Sequence, residues 1–198
     1  MTTFFLVRHA VHNLGSGVIA GRKPGVSLSE TGRAQAELLA ERLRREAVTA
    51  LYTSPRQRTL ETSELIAARC KTAVEICAEL DEVDFGDWTG HAIEKLEGDT
   101  RWAVWNRERD SASTPGGETM QDVASRVISL IEHARARNPD GRIVLVSHAE
   151  LIRTAVLYYL GLPFSAFSRI EIDPASISRL VIGDWGGKLA GLNETVAP

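Results

Sequence analysis

Two short apolar segments, far apart in the chain, end in the same way and constrain the fold more than any other feature. They are "FFLVRHA" at 4–10 and "IVLVSHA" at 143–149. A short, continuous apolar run is typical of a strand that is buried on both faces of a parallel sheet. Because the carboxyl ends of parallel strands meet at one edge of the sheet, we expect His9 and His148 to lie close together.

Strand-like and helix-like segments alternate along the 198 residues, which predicts one domain over 1–198. Ser29 and Ser54 are the expected N-caps of two helices, and Pro55 is expected in the first turn of the second. Strands are predicted over 3–7, 50–54, 73–77 and 142–146, and helices over 28–47, 54–70, 120–137 and 151–160. Antiparallel strands are predicted over 168–172, 176–185 and 188–192, with the last turn at Gly186 and Gly187. The pattern predicts an α/β, three-layer αβα fold with a mostly parallel central sheet, helices on both faces and an antiparallel C-terminal portion.

The segment 84–117 interrupts this alternation. It is loop-rich and contains three of the four tryptophans. A long irregular insertion in a compact domain usually serves a function, so we interpret it as a lid over a site. The alternative is a packed connection that contributes aromatic side chains to the core.

Composition narrows the class of protein. Hydrophobic residues make up 43% and charged residues 25%, and the formal net charge is −3. Such a chain has no basic surface typical of a nucleic-acid-binding protein. Cys70 and Cys77 are too few for a disulfide framework and are expected to be reduced thiols. The first apolar run is too short for a signal peptide, and no run is long enough to span a membrane, so a cytoplasmic protein is expected. The sequence does not indicate an oligomeric state.

The expected sheet edge carries two histidines and several arginines. Arg8 precedes His9, and Arg58 lies near the start of the second predicted helix, where the helix dipole disfavours a positive charge. An anion bound at the same edge would compensate that cost. A zinc site that uses His9 and His12 is the main alternative, but an adjacent arginine repels a cation, so no metal and no cofactor are expected.

Phosphoryl transfer fits these residue types best. A neutral imidazole can attack phosphorus, and guanidinium groups can hold the phosphoryl oxygens. A protonated carboxyl group can then give its proton to the leaving alkoxide.

Six motifs in order carry a family resemblance: "LVRHA", "LSETGRAQAELLAERL", "LYTSPRQRTLET", "ELDEVDFGDWTG", "PGGET" and "IVLVSHAELIR". Over about 4–159 the chain resembles the histidine phosphatase superfamily, which has the phosphoglycerate mutase-like fold. The resemblance implies that His9 is the nucleophile that becomes phosphohistidine. It implies that Arg8, Arg58 and His148 hold the phosphoryl oxygens, with the Ala149 amide as a further donor at the start of a helix.

The resemblance also implies that Glu82 is the proton donor and acceptor. From the sequence alone, three neighbouring carboxylates compete with it: Glu79, Asp81 and Asp84.

The loop after the first histidine departs from the family pattern. Val11 stands where the family commonly has glutamate, and Asn13 comes two positions earlier than the family's asparagine. Asn13 is still carried as a candidate phosphate contact. Gly21 and Arg22 occupy the stretch that usually borders the substrate. Arg22 either meets a second anionic group of the ligand or is a solvated loop charge, and both interpretations stay open.

The resemblance predicts a phosphomonoesterase that acts through phosphohistidine on a small phosphorylated metabolite. The compact chain is similar to the broad-specificity and α-ribazole-type phosphatases. Two alternatives stay open: a cofactor-dependent phosphoglycerate mutase-type phosphotransferase, and a non-catalytic phosphate-binding protein on the same fold. Water exclusion separates a mutase from a phosphatase.

Overall fold

A mixed sheet organises the chain, and the computed structural model describes residues 1–15 and 17–195. Within these residues the sheet has six strands in the order β3-β2-β4-β1-β5-β6. The strands β3, β2, β4 and β1 are parallel, whereas β5 and β6 are antiparallel additions beside β1. Their bounds are β1 Thr2–Arg8, β2 Ala50–Thr53, β3 Val74–Ile76, β4 Arg142–Ser147, β5 Ile177–Gly183 and β6 Gly186–Glu194.

The described part of the chain contains five α-helices: α1 Glu30–Arg44, α2 Gln57–Cys70, α3 Thr100–Arg107, α4 Met120–Arg137 and α5 Ala149–Tyr159. Four of them, α1, α2, α4 and α5, pack on the sheet. Ser29 caps α1, as predicted, because its hydroxyl accepts the Gly32 amide. Thr119 and Asp122 cap α4 reciprocally, so that side chains satisfy two amide groups at its start.

The core lies in two layers, one on each face of the sheet. Alternate residues of β1 face opposite sides: Phe4 and Leu6 pack with α4 and α5, and Phe5 and Val7 pack with α1 and α2. All four side chains are buried. The three-layer αβα fold predicted from the sequence is therefore confirmed.

The strand predicted at 168–172 is wrong. Residues Phe164–Arg169 form a 3₁₀ helix, and the following residues pair with no strand. Ile170 and Ile172 are buried, but their carbonyl groups accept hydrogen bonds from Arg153 and Arg8 at 2.9 and 2.6 Å. The alternating apolar pattern correctly indicated burial. The backbone hydrogen bonds, however, go to guanidinium groups instead of a neighbouring strand.

The predicted start of α2 and the last predicted turn are also wrong. The helix begins at Gln57 with Arg56 as N-cap, while the Ser54 hydroxyl lies 2.8 Å from His148 Nε2 and accepts the Arg56 amide at 3.4 Å. The β5–β6 hairpin turns at 184–185, and Gly186 already pairs with Gly183 as the first residue of β6.

The segment 84–117 is folded and attached to the core. It contains α3 and two 3₁₀ helices, Gly86–Trp88 and Ile93–Leu96. Trp88 and Trp105 are buried, whereas Trp102 is only partly buried and meets Trp88 edge to face. The segment's two ends are joined where Gly117 passes the Asp84 carbonyl so closely that a Cβ would lie 2.0 Å from that oxygen. The segment is thus anchored at its base.

Candidate active site

The register of β1 and β4 brings the two histidines together. Arg8 pairs with Ser147, and the His9 amide donates to the Ser147 carbonyl at 3.0 Å. His9 directly follows Arg8 and His148 directly follows Ser147, so the two histidines leave the sheet side by side. Their ring centroids lie 5.2 Å apart, and both side chains are buried. The convergence predicted from the two apolar runs is observed.

The His9 ring is held in one orientation from both sides. Its Nδ1 lies 2.9 Å from the Ala10 carbonyl, which can only accept, so Nδ1 carries the proton. Its Nε2 is then unprotonated and accepts from Arg58 Nε at 3.2 Å. Burial lowers the pKa of His9 well below its usual value, and the charges of Arg58 and Arg8 lower it further. The arrangement supplies a neutral imidazole whose Nε2 lone pair faces a guanidinium group.

Arg58 links the two histidines. Its Nη2 donates to the Gly21 carbonyl at 2.9 Å and lies 3.0 Å from His148 Nδ1. His148 Nε2 lies 2.8 Å from the Ser54 hydroxyl. Since Arg58 can only donate, His148 accepts at Nδ1 and donates from Nε2. Burial, followed by the charge of Arg58, lowers the pKa of His148 well below its usual value, which keeps the ring neutral.

Several buried guanidinium nitrogens have no hydrogen-bond partner among the described residues, and two of them, Arg8 Nε and Arg58 Nη1, belong to the arginines that contact or adjoin His9. The Arg58 side chain is only 1% exposed. Buried donors on charged groups normally find acceptors, because leaving them unpaired costs about 1–3 kcal/mol or more. Their position beside His9 is suited to an anion with several oxygen atoms.

Glu82 is the carboxylate that lies beside Arg58 and His148. Its Oε2 lies 3.5 Å from His148 Nδ1 and 3.7 Å from Arg58 Nη2, and its Oε1 accepts the Val83 amide at 2.9 Å. Burial raises its pKa to about 7, although the charge of Arg58 opposes this. Near neutral pH the carboxyl group is thus present in both its protonated and its ionised form, as a proton donor and acceptor requires.

The loop that carries Glu82 is clamped by two arginines. Arg126 donates to the carbonyl groups of Glu79 and Asp81 at 2.7 and 2.6 Å and, at 3.3 Å, to that of Glu82. Arg22 donates to the same Glu82 carbonyl at 2.9 Å. Both arginines form ion pairs with Glu118, at 3.0 Å. The backbone on either side of Glu82 is therefore fixed by charged hydrogen bonds.

One cavity of about 290 Å³ at the carboxyl edge of the sheet is lined by Arg8, His9, Arg58 and Glu82. Apolar side chains of the segment 84–117 close one side of it, while α5 closes another with its first residues. The residues that line it include Arg8, His9, His12, Gly21, Arg58, Glu82, Trp102, Arg109, Ala149, Glu150 and Arg153. Four arginines face two glutamates here, so the cavity is more positive than the chain as a whole, whose formal net charge is −3.

Comparison with known proteins identifies the family. The model of the histidine phosphatase superfamily (branch 1) matches residues 4–195. The chain belongs to this superfamily. It is 33% identical over 202 residues to phosphoserine phosphatase 1 of Hydrogenobacter thermophilus, covering 98% of this chain and 93% of that protein. It is 31% identical over 186 residues to a "probable phosphoglycerate mutase" of Photorhabdus laumondii, covering 91% and 85% of the two chains.

A solved structure of a histidine phosphatase superfamily fold agrees with the architecture described above. It is the phosphoserine phosphatase of Entamoeba histolytica in complex with 3-phosphoglyceric acid, with a TM-score of 0.87 and 25% identity. The alignment covers 98% of each chain. Together these findings make the chain a phosphatase that acts on small phosphorylated metabolites, with mutases among its relatives.

Of the nine residues predicted for the site, six line the cavity of this histidine phosphatase and three do not. His148 is fully buried and contacts the site through Arg58, whose Nη2 lies 3.0 Å from His148 Nδ1. Gly21 lines the cavity in a left-handed conformation (φ +49°), and a Cβ there would lie 2.9 Å from the Thr89 hydroxyl oxygen. Arg22 is engaged by the carboxylates of Asp81, Asp84 and Glu118 and does not line the cavity. Asn13 donates to the Ser27 hydroxyl at 2.8 Å and does not line it either. Ser16, in the same loop, lies outside the described residues.

The other three carboxylates near Glu82 are accounted for elsewhere. Asp81 accepts from Arg56 at 2.7 Å and caps the Glu82 amide at 2.8 Å. Asp84 caps the Gly86 amide and pairs with Arg22, and the Glu79 side chain is exposed. None of the three lines the cavity, which favours Glu82.

Several cavity residues were not predicted from the sequence. His12 stacks on His9 with ring centroids 5.6 Å apart, and burial lowers its pKa. Trp102, Arg109, Glu150 and Arg153 also line the cavity without having been predicted, as do the apolar residues Val18, Ile19, Ala20, Phe85 and Ile93. Glu150 could have been found, since it directly follows "SHA" at the start of the helix, whereas Arg109 lies in an irregular segment and shows no local signal.

In residues 1–15 and 17–195, no three or more His, Cys, Asp or Glu side chains are grouped as a metal site would need. Among the described helices, none combines the length and the apolar character that crossing a membrane needs.

Proposed function

We propose that this protein is a phosphomonoesterase in which His9 Nε2 attacks the phosphorus of a small phosphorylated metabolite. The bond from phosphorus to the leaving oxygen breaks as the bond to Nε2 forms, which gives a phosphohistidine. Water then attacks the phosphohistidine and releases inorganic phosphate. The observation that carries the proposal is the His9 ring, whose Nδ1–H donates to the Ala10 carbonyl while Nε2 faces the Arg58 guanidinium.

The roles of the surrounding groups follow from their charges. Arg8 and Arg58 each bring a buried N–H group with no partner in residues 1–15 and 17–195, and these groups suit the oxygens of a phosphoryl group in transfer. His148 and the Ala149 amide at the start of α5 are the further donors that we assign to the phosphoryl oxygens. His148 accepts from Arg58 in the resting protein, so we expect its Nδ1 to gain a proton or exchange partners when phosphate binds.

We assign proton transfer to Glu82. In the first step its protonated carboxyl group gives the proton to the leaving alkoxide, and in the second its carboxylate takes a proton from the attacking water. A pKa of about 7 permits both forms at neutral pH. We also propose that the segment 84–117 forms one wall over the leaving group, since Trp102 lines the cavity while Trp88 and Trp105 are buried beneath it.

A mutase-type phosphotransferase is the second candidate, because relatives that cover most of the chain bear that name. The two reactions share the phosphohistidine and differ in whether the acceptor is water or a second substrate oxygen. The measurement that separates them is product analysis in the presence of an acceptor alcohol. A phosphatase releases inorganic phosphate, whereas a phosphotransferase forms the phosphorylated alcohol. A cytoplasmic location stays a prediction from the sequence.

The test is to trap the phosphohistidine. Wild-type protein is mixed with an aryl phosphate, quenched in alkali, and digested for mass spectrometry. The expected result is a phosphate on His9 that is absent in His9→Ala. His133→Ala is the matched control, since His133 is exposed on α4, and it should retain both the label and turnover. A phosphoenzyme that persists in His9→Ala, or turnover without any label, would contradict the proposal.

A further inference from the structure

A third histidine lies beside His9 and has no role in the proposed reaction. His12 lines the same cavity as His9. Its ring is stacked on the His9 ring, with the two centroids 5.6 Å apart and the two planes inclined by 30°. His148 meets the His9 ring edge to face at 5.2 Å, so two imidazoles adjoin His9 in different orientations. Only His148 is among the phosphoryl donors assigned above.

The backbone around His12 is fixed against α1 and the segment that precedes it. The Val11 amide donates to Gln35 Oε1 on α1 at 3.1 Å. Gly32 on α1 passes so close that a Cβ there would lie 1.9 Å from the Val11 carbonyl oxygen. His12 itself forms an isolated antiparallel bridge with Leu28. The His12 ring is therefore positioned before a ligand binds, which lowers the entropic cost of using it.

The asparagine that follows His12 is directed away from the cavity. The sequence makes Asn13 a candidate phosphate contact, but its side-chain amide donates to the Ser27 hydroxyl at 2.8 Å and its backbone amide donates to the Ser27 carbonyl at 3.0 Å. Of residues 10–15, His12 alone lines the cavity. The polar side chain that this loop contributes beside the nucleophile is therefore an imidazole.

The hydrogen bonds of the two stacked rings place their protons on opposite nitrogens. Burial lowers the pKa of His12, and the charges of Arg58 and Arg8 lower it further, so the ring is neutral. The Leu14 amide can only donate, and it donates to His12 Nδ1 at 3.3 Å, which leaves the proton on Nε2. In His9 the proton is on Nδ1 and the lone pair is on Nε2. His9 can therefore attack, whereas His12 can donate.

We propose that His12 Nε2–H donates a hydrogen bond to a phosphoryl oxygen, in the bound ester and again in the phosphohistidine, so that His12 is a phosphoryl-binding residue. The inference rests on the proposed phosphomonoesterase function. Arg8 and Arg58 supply charged donors, and His12 adds a neutral donor beside the stacked ring of His9. A hydrogen bond to a charged oxygen is stronger than one between neutral groups, and such donors stabilise the charge of a phosphoryl group in transfer. Because every monoester has the phosphoryl group, the effect should not depend on the leaving group.

The experiment separates the ring of His12 from its N–H group. His12→Phe keeps an aromatic ring and lacks the donor, whereas His12→Gln lacks the ring and keeps an N–H donor. His133→Phe is the matched control, since His133 is exposed on α4 and does not line the cavity. We would measure kcat and KM for 4-nitrophenyl phosphate and glycerol 3-phosphate, and check the fold by urea unfolding. Isothermal titration calorimetry gives the Kd of inorganic phosphate without any turnover.

His12→Phe should lower kcat/KM by about 10- to 100-fold, the range expected for a hydrogen bond to a charged group. The loss should be equal for the aryl and the alkyl ester, and inorganic phosphate should bind more weakly. His12→Gln should recover part of the activity, and His133→Phe should match wild type. If His12→Phe does not fold, His12→Ala replaces it, and only His12→Gln should then retain phosphate binding.

The contrary outcomes are distinct. Wild-type activity in His12→Phe overturns the proposal, because the ring alone then suffices. A loss confined to glycerol 3-phosphate overturns it as well, since His12 would then act on the leaving group. A larger loss in Asn13→Ala than in His12→Phe would assign phosphate binding to the asparagine instead. A folded wild-type protein that binds phosphate and hydrolyses neither ester refutes the phosphatase function, and the change in phosphate affinity in His12→Phe still decides for or against the donor.

Discussion

Replacing Glu82 by glutamine should weaken catalysis and stabilise the fold, and the gain in stability should grow with pH because the buried carboxyl group ionises. Burial raises the pKa of this carboxyl group from 4.5 to about 7. At pH 7 about half of the molecules then carry the proton, against roughly 1 in 300 for an ordinary glutamate. The same difference between folded and unfolded pKa values corresponds to about 3 kcal/mol of unfolding free energy.

The sign follows from proton binding. Between pH 4.5 and about 7 the folded protein holds the Glu82 proton and the unfolded chain has released it, so stability falls as the pH rises through this window. Below pH 4.5 both states are protonated and the group contributes nothing. Above about pH 7 both states are ionised, and the folded state bears the full cost of the buried charge. Glutamine removes that cost and can still accept the Val83 amide through its oxygen.

The assay is urea unfolding of wild type and Glu82→Gln at pH 4.5 and pH 8. Glu82→Gln should be more stable than wild type by up to about 3 kcal/mol at pH 8, and similar in stability to it at pH 4.5. Glu79→Gln is the control, because Glu79 lies on the same loop with an exposed side chain, and its effect should be small at both pH values. A Glu82→Gln variant that is no more stable at pH 8, or equally stabilised at both pH values, would refute the buried-charge argument.

Three further predictions concern catalysis. Glu82→Gln should slow hydrolysis of alkyl phosphates by about 10²–10⁴-fold and of 4-nitrophenyl phosphate much less, since an aryl oxide leaves without a proton; equal losses would assign the acid to another group. Arg126→Ala should show the same selective loss of activity on alkyl esters, by roughly 10-fold or more, because the hydrogen bonds that fix the Glu82 loop are lost. Arg137→Ala, which breaks an exposed ion pair with Glu75, should show no such loss. Trp102→Ala should change the ranking of substrates with large leaving groups in steady-state kinetics; a uniform loss on all of them would mean that the side chain only supports the fold.

Much of the site could be predicted because the informative signals are local. A buried parallel strand that ends in a histidine defines where that histidine lies, and two such strands place His9 and His148 at one edge. Arg58 could be predicted in the same way, since it begins the helix after β2. These positions depend only on strand direction and register, which apolar runs encode well.

The remainder depends on pairings that leave no local pattern. Ile170 and Ile172 are spaced as in a strand with alternate residues buried. Both edges of β1, however, are already paired, with β4 and β5. The carbonyl groups of Ile170 and Ile172 therefore accept hydrogen bonds from Arg153 and Arg8. Arg109 contacts the site only because Trp105 and Phe167 fix it against α5. Such contacts between distant segments are decided by tertiary packing, which neither periodicity nor residue type reports.

The strand order has a consequence for how the protein is made. The strand β1 is the first of the described strands to be synthesised, but its two neighbours in the sheet, β4 and β5, begin only at Arg142 and Ile177. Until those strands emerge from the ribosome, the apolar side chains of β1 have neither the strand pairing nor the helices that cover them. Because such distant pairings form late, the N-terminal part of the chain cannot fold ahead of the rest. The sheet around β1, and with it the two-histidine site, can therefore form only after β4 and β5 have left the ribosome, and until then both edges of β1 are unpaired.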